Sequence, residues 1–382
     1  MKKFFIGFLL IILVLVISVS AFIFLQHKSF SRENPGASFK YTLKLLSQKY
    51  TSGVHDKFLS SKPSTEHKKI ILQIPKKSVR DIAKFLKENK LITNDTFFVN
   101  LVRLKGMDKA IKTGEFEFFT DFTPIQVLEV LKRGKEVQYE VTLPENLTYK
   151  EIAERLEKAE ITKAKDFIKL CESQKMLKKY GIDASSDRKN YIPTIEGYLY
   201  PETYKFKHWT PAEKVFDRLV KKSLSSLKTL SPLIKKSGLT KHEVMTLASI
   251  IGKETTTDSE RFKVSSVFHN RLKKGMLLQT DPTVIYMVTD RTSTTYHAGI
   301  KKSHLEDRTN PYNTYIYKGV PPGPIGNPNY KSIEAVLKPA DTSYIFFVSN
   351  NDGTHTFTKN LKDHEAAVKR YWKKVRNSKK HK

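Results

Sequence analysis

In HEVMTLASIIGKET, Val244, Leu247, Ala248 and Ile251 recur at the i, i+3, i+4 and i+7 positions of a helix, and Glu254 falls on the same stripe, at Leu247+7 and Ile251+3. A carboxylate facing apolar surroundings has its charged form disfavoured. Its pKa therefore rises toward the range in which it can donate a proton, which is the preparation a general acid needs. The competing reading is a helix that frays after Gly252, a residue costing about 1 kcal/mol relative to Ala in a helix interior, which would leave Glu254 in water.

Other chemistries are poorly supported. The 11 histidines are scattered, His242-Glu243 lacks the second His of a zinc helix, and Cys171 is the single cysteine, so no metal is expected. There is no glycine-rich phosphate loop and no G-x-S-x-G elbow, and no cofactor is expected. Carboxylate chemistry on a carbohydrate is the enzymatic class that remains. Sugar sites combine flat apolar faces with a few polar anchors, a combination that Tyr198, Tyr200 and Tyr204 with Glu202 offer, unless the tyrosines are simply packed. Gln279, Thr280 and Asp281 are either groove donors or a turn in which Asp281 caps a helix starting at Pro282.

The elements that must position these residues are legible in outline. A helix-rich region runs from about Pro211 to Arg271, and after Gly275 the sequence becomes turn-rich. SYIFFVS (343–349) reads as a strand turning at NNDG toward THTFT, and the chain closes with an amphipathic helix and a basic tail, KKVRNSKKHK, expected to be solvated and frayed. Upstream, SVRDIAKFL (78–86), TPIQVLEVL (123–131) and TYKEIAERL (148–156) form a weak repeat. Each opens with Ser or Thr, carries Asp, Gln or Glu three residues later, and places apolar residues at its fifth and ninth positions. Thr123 and Thr148 begin capping boxes and Ser78 a near variant. With KIILQI (69–74), FEFF (116–119) and VQYEVTL (137–143) as short strands, the expectation is a small α+β module over 68–160.

The N-terminus differs from the rest. Phe4 to Leu25 is an uncharged apolar run, long enough as a helix to span a bilayer core of roughly 30 Å. A cleaved signal peptide is the rival reading, since Ser18, Ser20 and Ala21 resemble a cleavage site, but the run outlasts a signal h-region of about 7–15 residues. Lys2 and Lys3 favour a cytoplasmic tip with everything else outside. Residues 26–67 are polar, with Ser, Pro and Gly, as suits a tether. The net charge of +29 permits attraction to any polyanion, but lysine is spread along the chain instead of clustering between stacking aromatics, which argues against nucleic acid as a partner.

LASIIGKETTTDSERFKVSSVFHNRLKKGMLLQTDPTVIY (247–286), EGYLYPETY (196–204), NPYNTY (310–315), GVPPGPIGNP (319–328) and HTFTKNLKDH (355–364) together resemble the endolytic murein transglycosylases, the MltG or YceG-like family. The resemblance runs in order over nearly the whole chain. It implies an α+β protein with a cytoplasmic tip (1–3), a transmembrane helix (4–25) in the cytoplasmic membrane, a tether (26–67), a LysM-like module (68–160), a mixed α+β catalytic domain (161–373) on the extracytoplasmic side and a basic tail (374–382). It also implies cleavage of the bond between N-acetylmuramic acid and N-acetylglucosamine in nascent peptidoglycan, with 1,6-anhydro ends that terminate strand elongation. The implied partners are peptidoglycan glycan strands, peptidoglycan synthases, and elongation or division proteins.

The family's catalytic glutamate is the one followed by Thr in the pattern E-K-E-T, which corresponds to Glu254. Tyr200, Glu202, Gln279, Thr280, Asp281, Asn313 and Tyr315 are the candidate substrate-binding residues, with Glu202, Glu260 and Asp281 as candidate carboxylate partners. The sequence departs from the pattern at its first Glu, where it has Gly252. Activity is expected to survive, with an effect on helix rigidity and local pKa. A peptidoglycan-binding scaffold with little activity is the alternative that Gly252 favours.

Overall fold

The apolar N-terminal run becomes part of helix α1 (Lys2–Glu33). Its segment Ile12–Glu33 is long and apolar enough to cross a membrane, and its most apolar stretch is not buried in the protein. The computed structural model describes residues 2–43, 59–292 and 300–380, and the chain divides into two units, Met1–Val137 and Gln138–Lys382.

In the first unit β1 (Lys69–Ile74) pairs antiparallel with β2 (Gly114–Phe119), Leu72 lying opposite Phe116. Period-two alternation sends Phe116 and Phe118 inward, where they meet Ile82 and Leu86 of α2 (Val79–Glu88), Phe98 and Val102 of α3 (Asp95–Leu104), and Leu128 and Leu131 of α4 (Pro124–Arg133). The capping signals work as read: Ser78 accepts from the Asp81 amide, and Thr123 and Gln126 satisfy each other's backbone in a capping box.

The third copy of the repeat also folds as its sequence suggests, with strand β3 (Tyr139–Thr142) followed by helix α5 (Tyr149–Lys158) behind a Thr148–Glu151 capping box. It belongs to the second unit, however, because β3 pairs with a distant strand, β4 (Thr203–Phe206), in the register Tyr139 to Phe206. Helices α6 (Ala164–Cys171) and α7 (Gln174–Lys179) lie between β3 and β4 in the chain, and α8 (Ala212–Thr229) and α9 (Ser231–Ser237) follow β4.

The centre of the second unit is α10 (Lys241–Glu254), started by a Thr240–Glu243 capping box. Val244, Leu247, Ala248 and Ile251 are at most 1% exposed, as their spacing requires. The intervening Met245, Thr246, Ser249 and Ile250 are buried too, so the helix is enclosed on every side, not striped. Around it lie α11 (Asp258–Lys273), α12 (Asp281–Thr292) and, beyond the short α13 (Lys302–Leu305), α14 (Tyr330–Leu337). The hairpin of β5 (Phe346–Ser349) and β6 (His355–Thr358) turns at NNDG as its sequence suggests. The C-terminal helix α15 (Leu361–Lys380) runs through most of the stretch expected to be a frayed tail. No Gly or Pro interrupts it, and its residues are good helix formers.

Polar pins join the elements of this unit. Arg261 of α11 is 1% exposed, and its guanidinium takes both oxygens of Glu145, at 2.5 and 3.2 Å, along with Asp258 at 3.1 Å and the Ser332 hydroxyl. Removing one partner of such a pair leaves a buried charge uncompensated. Glu145→Ala is therefore expected to lower the urea-unfolding free energy by about 3 kcal/mol, the lower end of the range for broken buried pairs, because Asp258 remains. A loss below about 1 kcal/mol, in the range of a surface ion pair, would show that Arg261 is satisfied without Glu145.

Candidate active site

The helix carrying Glu254 does not fray at Gly252. Helical bonding persists to the end, where the Thr255 amide donates to Ile251 O at 3.1 Å before the backbone turns extended at φ −144°, ψ 139°. Glu254 is therefore a terminal helical residue, partly buried, with its carboxylate held at the rim of the core. The Thr280 hydroxyl, itself 2% exposed, donates to Oε1. Desolvation pushes the Glu254 pKa from 4.5 up to about 7. The Thr280 hydrogen bond and the nearby side chains of His355 and Arg271 oppose that rise, while Asp281 adds to it. A carboxyl so placed holds or releases its proton near neutrality.

Thr280 is fixed by a second turn-rich segment. Its amide donates to Thr314 Oγ1 at 2.9 Å, the Gln279 amide donates to Thr314 O at 3.1 Å, and Thr283 Oγ1 donates to Thr280 O at 2.7 Å. Gln279 takes a left-handed backbone at φ 47°, uncommon for a residue with a Cβ, and its side chain is exposed. Tyr315 donates its hydroxyl to Asp281 Oδ1 at 2.5 Å; burial, reinforced by that carboxylate, pushes the phenol pKa well up and keeps it protonated. The loop before Gln279 is gripped by Arg271, 6% exposed, whose guanidinium donates to Leu278 O at 2.6 Å and to Ile345 O at 2.7 Å beside β5.

The structure thus brings Glu254, Thr280, Asp281 and Tyr315 together, with Gln279 beside them. Asn313 does not face the site. It is 0% exposed, its Nδ2 bonds the carbonyls of His304, Leu305 and Asp307, and its Oδ1 accepts from the Tyr315 amide at 3.0 Å. These bonds tie down the loop that presents Tyr315.

Tyr200 and Glu202 form a separate group with Lys222, whose Nζ is 3.1 Å from Glu202 Oε1 and 5.9 Å from the Tyr200 ring centre; none of these contacts reaches Glu254. Tyr198 and Tyr204 are packed at 2% exposure, one bonded to His242 Nδ1 at 3.1 Å and the other to Tyr200 O at 2.7 Å. Glu260 is taken by the amide and Nδ1 of His355 at 2.9 and 2.7 Å. Of the three candidate carboxylate partners, Asp281 is the one whose charge acts on Glu254. Among the described residues no group of three or more His, Cys, Asp or Glu could hold a metal ion.

Two residues central to this architecture escaped the sequence reading. Arg271 lay in a lysine-rich stretch that hid it. Glu196 lay in a segment read for its tyrosines. It is 1% exposed, accepts from the Tyr149 amide at 3.1 Å, Asn327 Nδ2 at 2.8 Å and the Tyr286 hydroxyl at 3.2 Å, and burial raises its pKa to about 8. A glutamate two residues before an aromatic cluster carries no pattern that announces burial.

Comparison with known proteins gives a consistent picture. The sequence model of the YceG-like family matches residues 72–370. An endolytic murein transglycosylase of Bacillus subtilis is 32% identical over 302 residues, covering 77% of this chain and 82% of that protein. One from Streptococcus pneumoniae serotype 2 is 31% identical over 181 residues, covering 46% of this chain and 32% of its own length. The crystal structure of a yceG-like protein from Listeria monocytogenes aligns with a TM-score of 0.54 at 32% identity, covering 79% of this chain and 99% of that one.

The raised pKa of Glu254 has a consequence for stability that needs no substrate. Its folded pKa of about 7 lies above the unfolded value of about 4.3, so the folded state binds the proton more tightly. Its contribution is intact below about pH 4.3 and is lost as pH rises through 7. Glu254→Gln, which keeps an oxygen for Thr280 and cannot ionise, should therefore melt with wild type at pH 4 and above it at pH 8. Melting curves across that range check this, and equal melting temperatures at pH 8 would place the carboxylate in water.

Proposed function

The chain belongs to the YceG-like family, and on that footing we propose that it is a peptidoglycan lytic transglycosylase in which Glu254 serves as both acid and base. The observation that carries this reading is a single desolvated carboxyl with a pKa near 7, oriented at Oε1 by Thr280. Among the described residues Oε2 accepts no hydrogen bond, so it is the oxygen that would carry the proton. In the first step Glu254 gives that proton to the glycosidic oxygen between N-acetylmuramic acid and N-acetylglucosamine as the C1–O bond breaks. The muramyl C6 hydroxyl then closes on C1, and its proton returns to the Glu254 carboxylate. The product is a 1,6-anhydro end, and no water is consumed.

A mechanism of this kind needs one carboxylate to change state and no second nucleophile, unlike ordinary glycosidases with carboxyl pairs about 5–9.5 Å apart. Asp281, held in place by the hydroxyl of Tyr315, would stabilise positive charge developing at C1. Gln279 and Tyr315 would line the groove. Tyr200 and Glu202, at the entry to β4, would meet the glycan farther along. The scaffold alternative rested on Gly252. An unbroken α10 and an oriented Glu254 favour the enzyme.

The same proposal includes an anchor through residues 4–25 in the cytoplasmic membrane, with the remainder outside on its tether. It includes a LysM-like module that holds glycan, with the first two copies of the repeat in the first unit, and action on nascent strands beside peptidoglycan synthases and elongation or division proteins.

Product analysis of digested sacculi tests the chemistry directly. The wild-type protein should release glycans with anhydro ends, and folded Glu254→Gln should release them at least about 100-fold more slowly. Hydrolysed ends, or an unchanged rate in the variant, would end this reading. Because the acid must be protonated, kcat/KM should fall as pH rises through about 7. Thr280→Val removes a hydrogen bond that favours the carboxylate, so it should carry that limb to higher pH.

A further inference from the structure

The last turn of α10 is held by a residue that the acid itself does not touch. Asn146 lies in the turn between β3 and α5 at φ 67°, a left-handed conformation that Asn and Gly adopt most readily. Its Nδ2 donates to Gly252 O at 2.6 Å. That carbonyl is one of those a helix leaves without an intrahelical partner at its C-terminus, so the amide closes the turn that ends in Glu254. The approach is possible only because residue 252 has no side chain: a Cβ there would lie 2.2 Å from Asn146 Oδ1.

Asn146 is braced from behind. Its amide donates to Asn327 O at 2.8 Å, and Asn327 returns its own amide and Nδ2 to Leu147 O, each at 2.9 Å. The Asn327 side chain also donates to Glu196 at 2.8 Å and accepts from the Leu199 amide at 2.7 Å. Gly326 allows this closeness, since a Cβ on it would lie 2.8 Å from Asn146 O. The chain from Glu196 through Asn327 to Asn146 thus ends on the helix terminus that carries Glu254. Asn146 Oδ1, meanwhile, is buried with no hydrogen-bond partner among the described residues. An orphaned acceptor has a desolvation cost, and the fold tolerates it to keep Nδ2 on Gly252.

We propose that Asn146 and Gly252 are a matched pair that positions Glu254: the side chain absent at 252 admits the Asn146 amide, which clamps the final turn of α10 and sets the Glu254 carboxylate against Thr280. This rests on the acid and base role of Glu254 and adds what holds it in place. It also gives the departure from E-K-E-T a physical meaning, because a glutamate at 252 and the Asn146 amide compete for the same space. Asn146 is a positioning residue and touches no substrate.

The test uses the full-length protein, with folding of each variant followed by circular dichroism. Asn146→Gly suits the left-handed backbone and removes only the clamp. It should lower kcat on sacculi by roughly 10- to 100-fold with KM little changed, the scale of a catalytic group misplaced by about an ångström, and shift the alkaline limb of the pH profile. Asn146→Asp keeps the shape but turns an acceptor toward Gly252 O, and should cost at least as much kcat.

Gly252→Glu alone should lose activity and melt lower than wild type, and adding Asn146→Gly should restore both in part by making room. Two outcomes would overturn the pairing: wild-type kcat and pH profile in both Asn146 variants, or a double variant no better than Gly252→Glu. If Glu254→Gln remains active, the acid and base reading fails instead, whatever the Asn146 variants do.

Discussion

A carboxyl group kept half out of water at the end of a helix buried through its middle turns is the constraint around which the second unit is arranged. Burial alone would leave Glu254 poorly placed and costly. The single Thr280 hydrogen bond recovers part of the desolvation cost and fixes one oxygen. Because that bond favours the ionised form while burial opposes it, the balance falls near neutrality, where one group can both give and take a proton. A wholly apolar pocket would push the pKa too high for the group to release its proton and take it back readily. A wetter one would return it to an ordinary carboxylate.

That balance demands precise backbone around the helix terminus, and the surrounding loops supply it through buried polar side chains. Thr283 and Thr314 lock Thr280, Asn313 ties the loop that carries Tyr315, and Arg271 grips the carbonyl just before Gln279. Most of these groups are satisfied by backbone partners, which is the condition under which polar atoms can be buried without loss. They fix irregular segments as firmly as helix or sheet bonding would, and so place a left-handed Gln279 and a short Tyr315–Asp281 contact where regular structure could not. Glu196 does the same for the segment that reaches the helix from the other side.

The two units illustrate how far local signals carry. Every copy of the repeat forms its helix, because a capping box and apolar spacing act within a few residues. Strand partners are another matter: β1 meets β2 within the first unit, whereas β3 crosses to β4, so the third copy joins the second unit. Nothing in VQYEVTL encodes that choice, since a short strand's alternation specifies which face is buried and not which edge it joins.

At the site the division is similar. Helical periodicity in the sequence placed Glu254 in register with Val244, Leu247 and Ile251, and the order of its motifs, through the family resemblance, offered Thr280, Asp281 and Tyr315 as candidates to accompany it; both are properties of the chain. The sequence did not distinguish Asn313, whose buried side chain bonds its own loop, from Tyr315, whose hydroxyl bonds Asp281; that depends on which side of one turn each side chain leaves. It gave no sign of Arg271 or Glu196, whose importance comes from burial by distant segments. Gly252 looked like a weakness in the helix, and only the folded chain supplies the Asn146 amide that occupies the space its missing side chain leaves. Local geometry is written residue by residue, whereas desolvation and close approach arise only when remote segments share one volume.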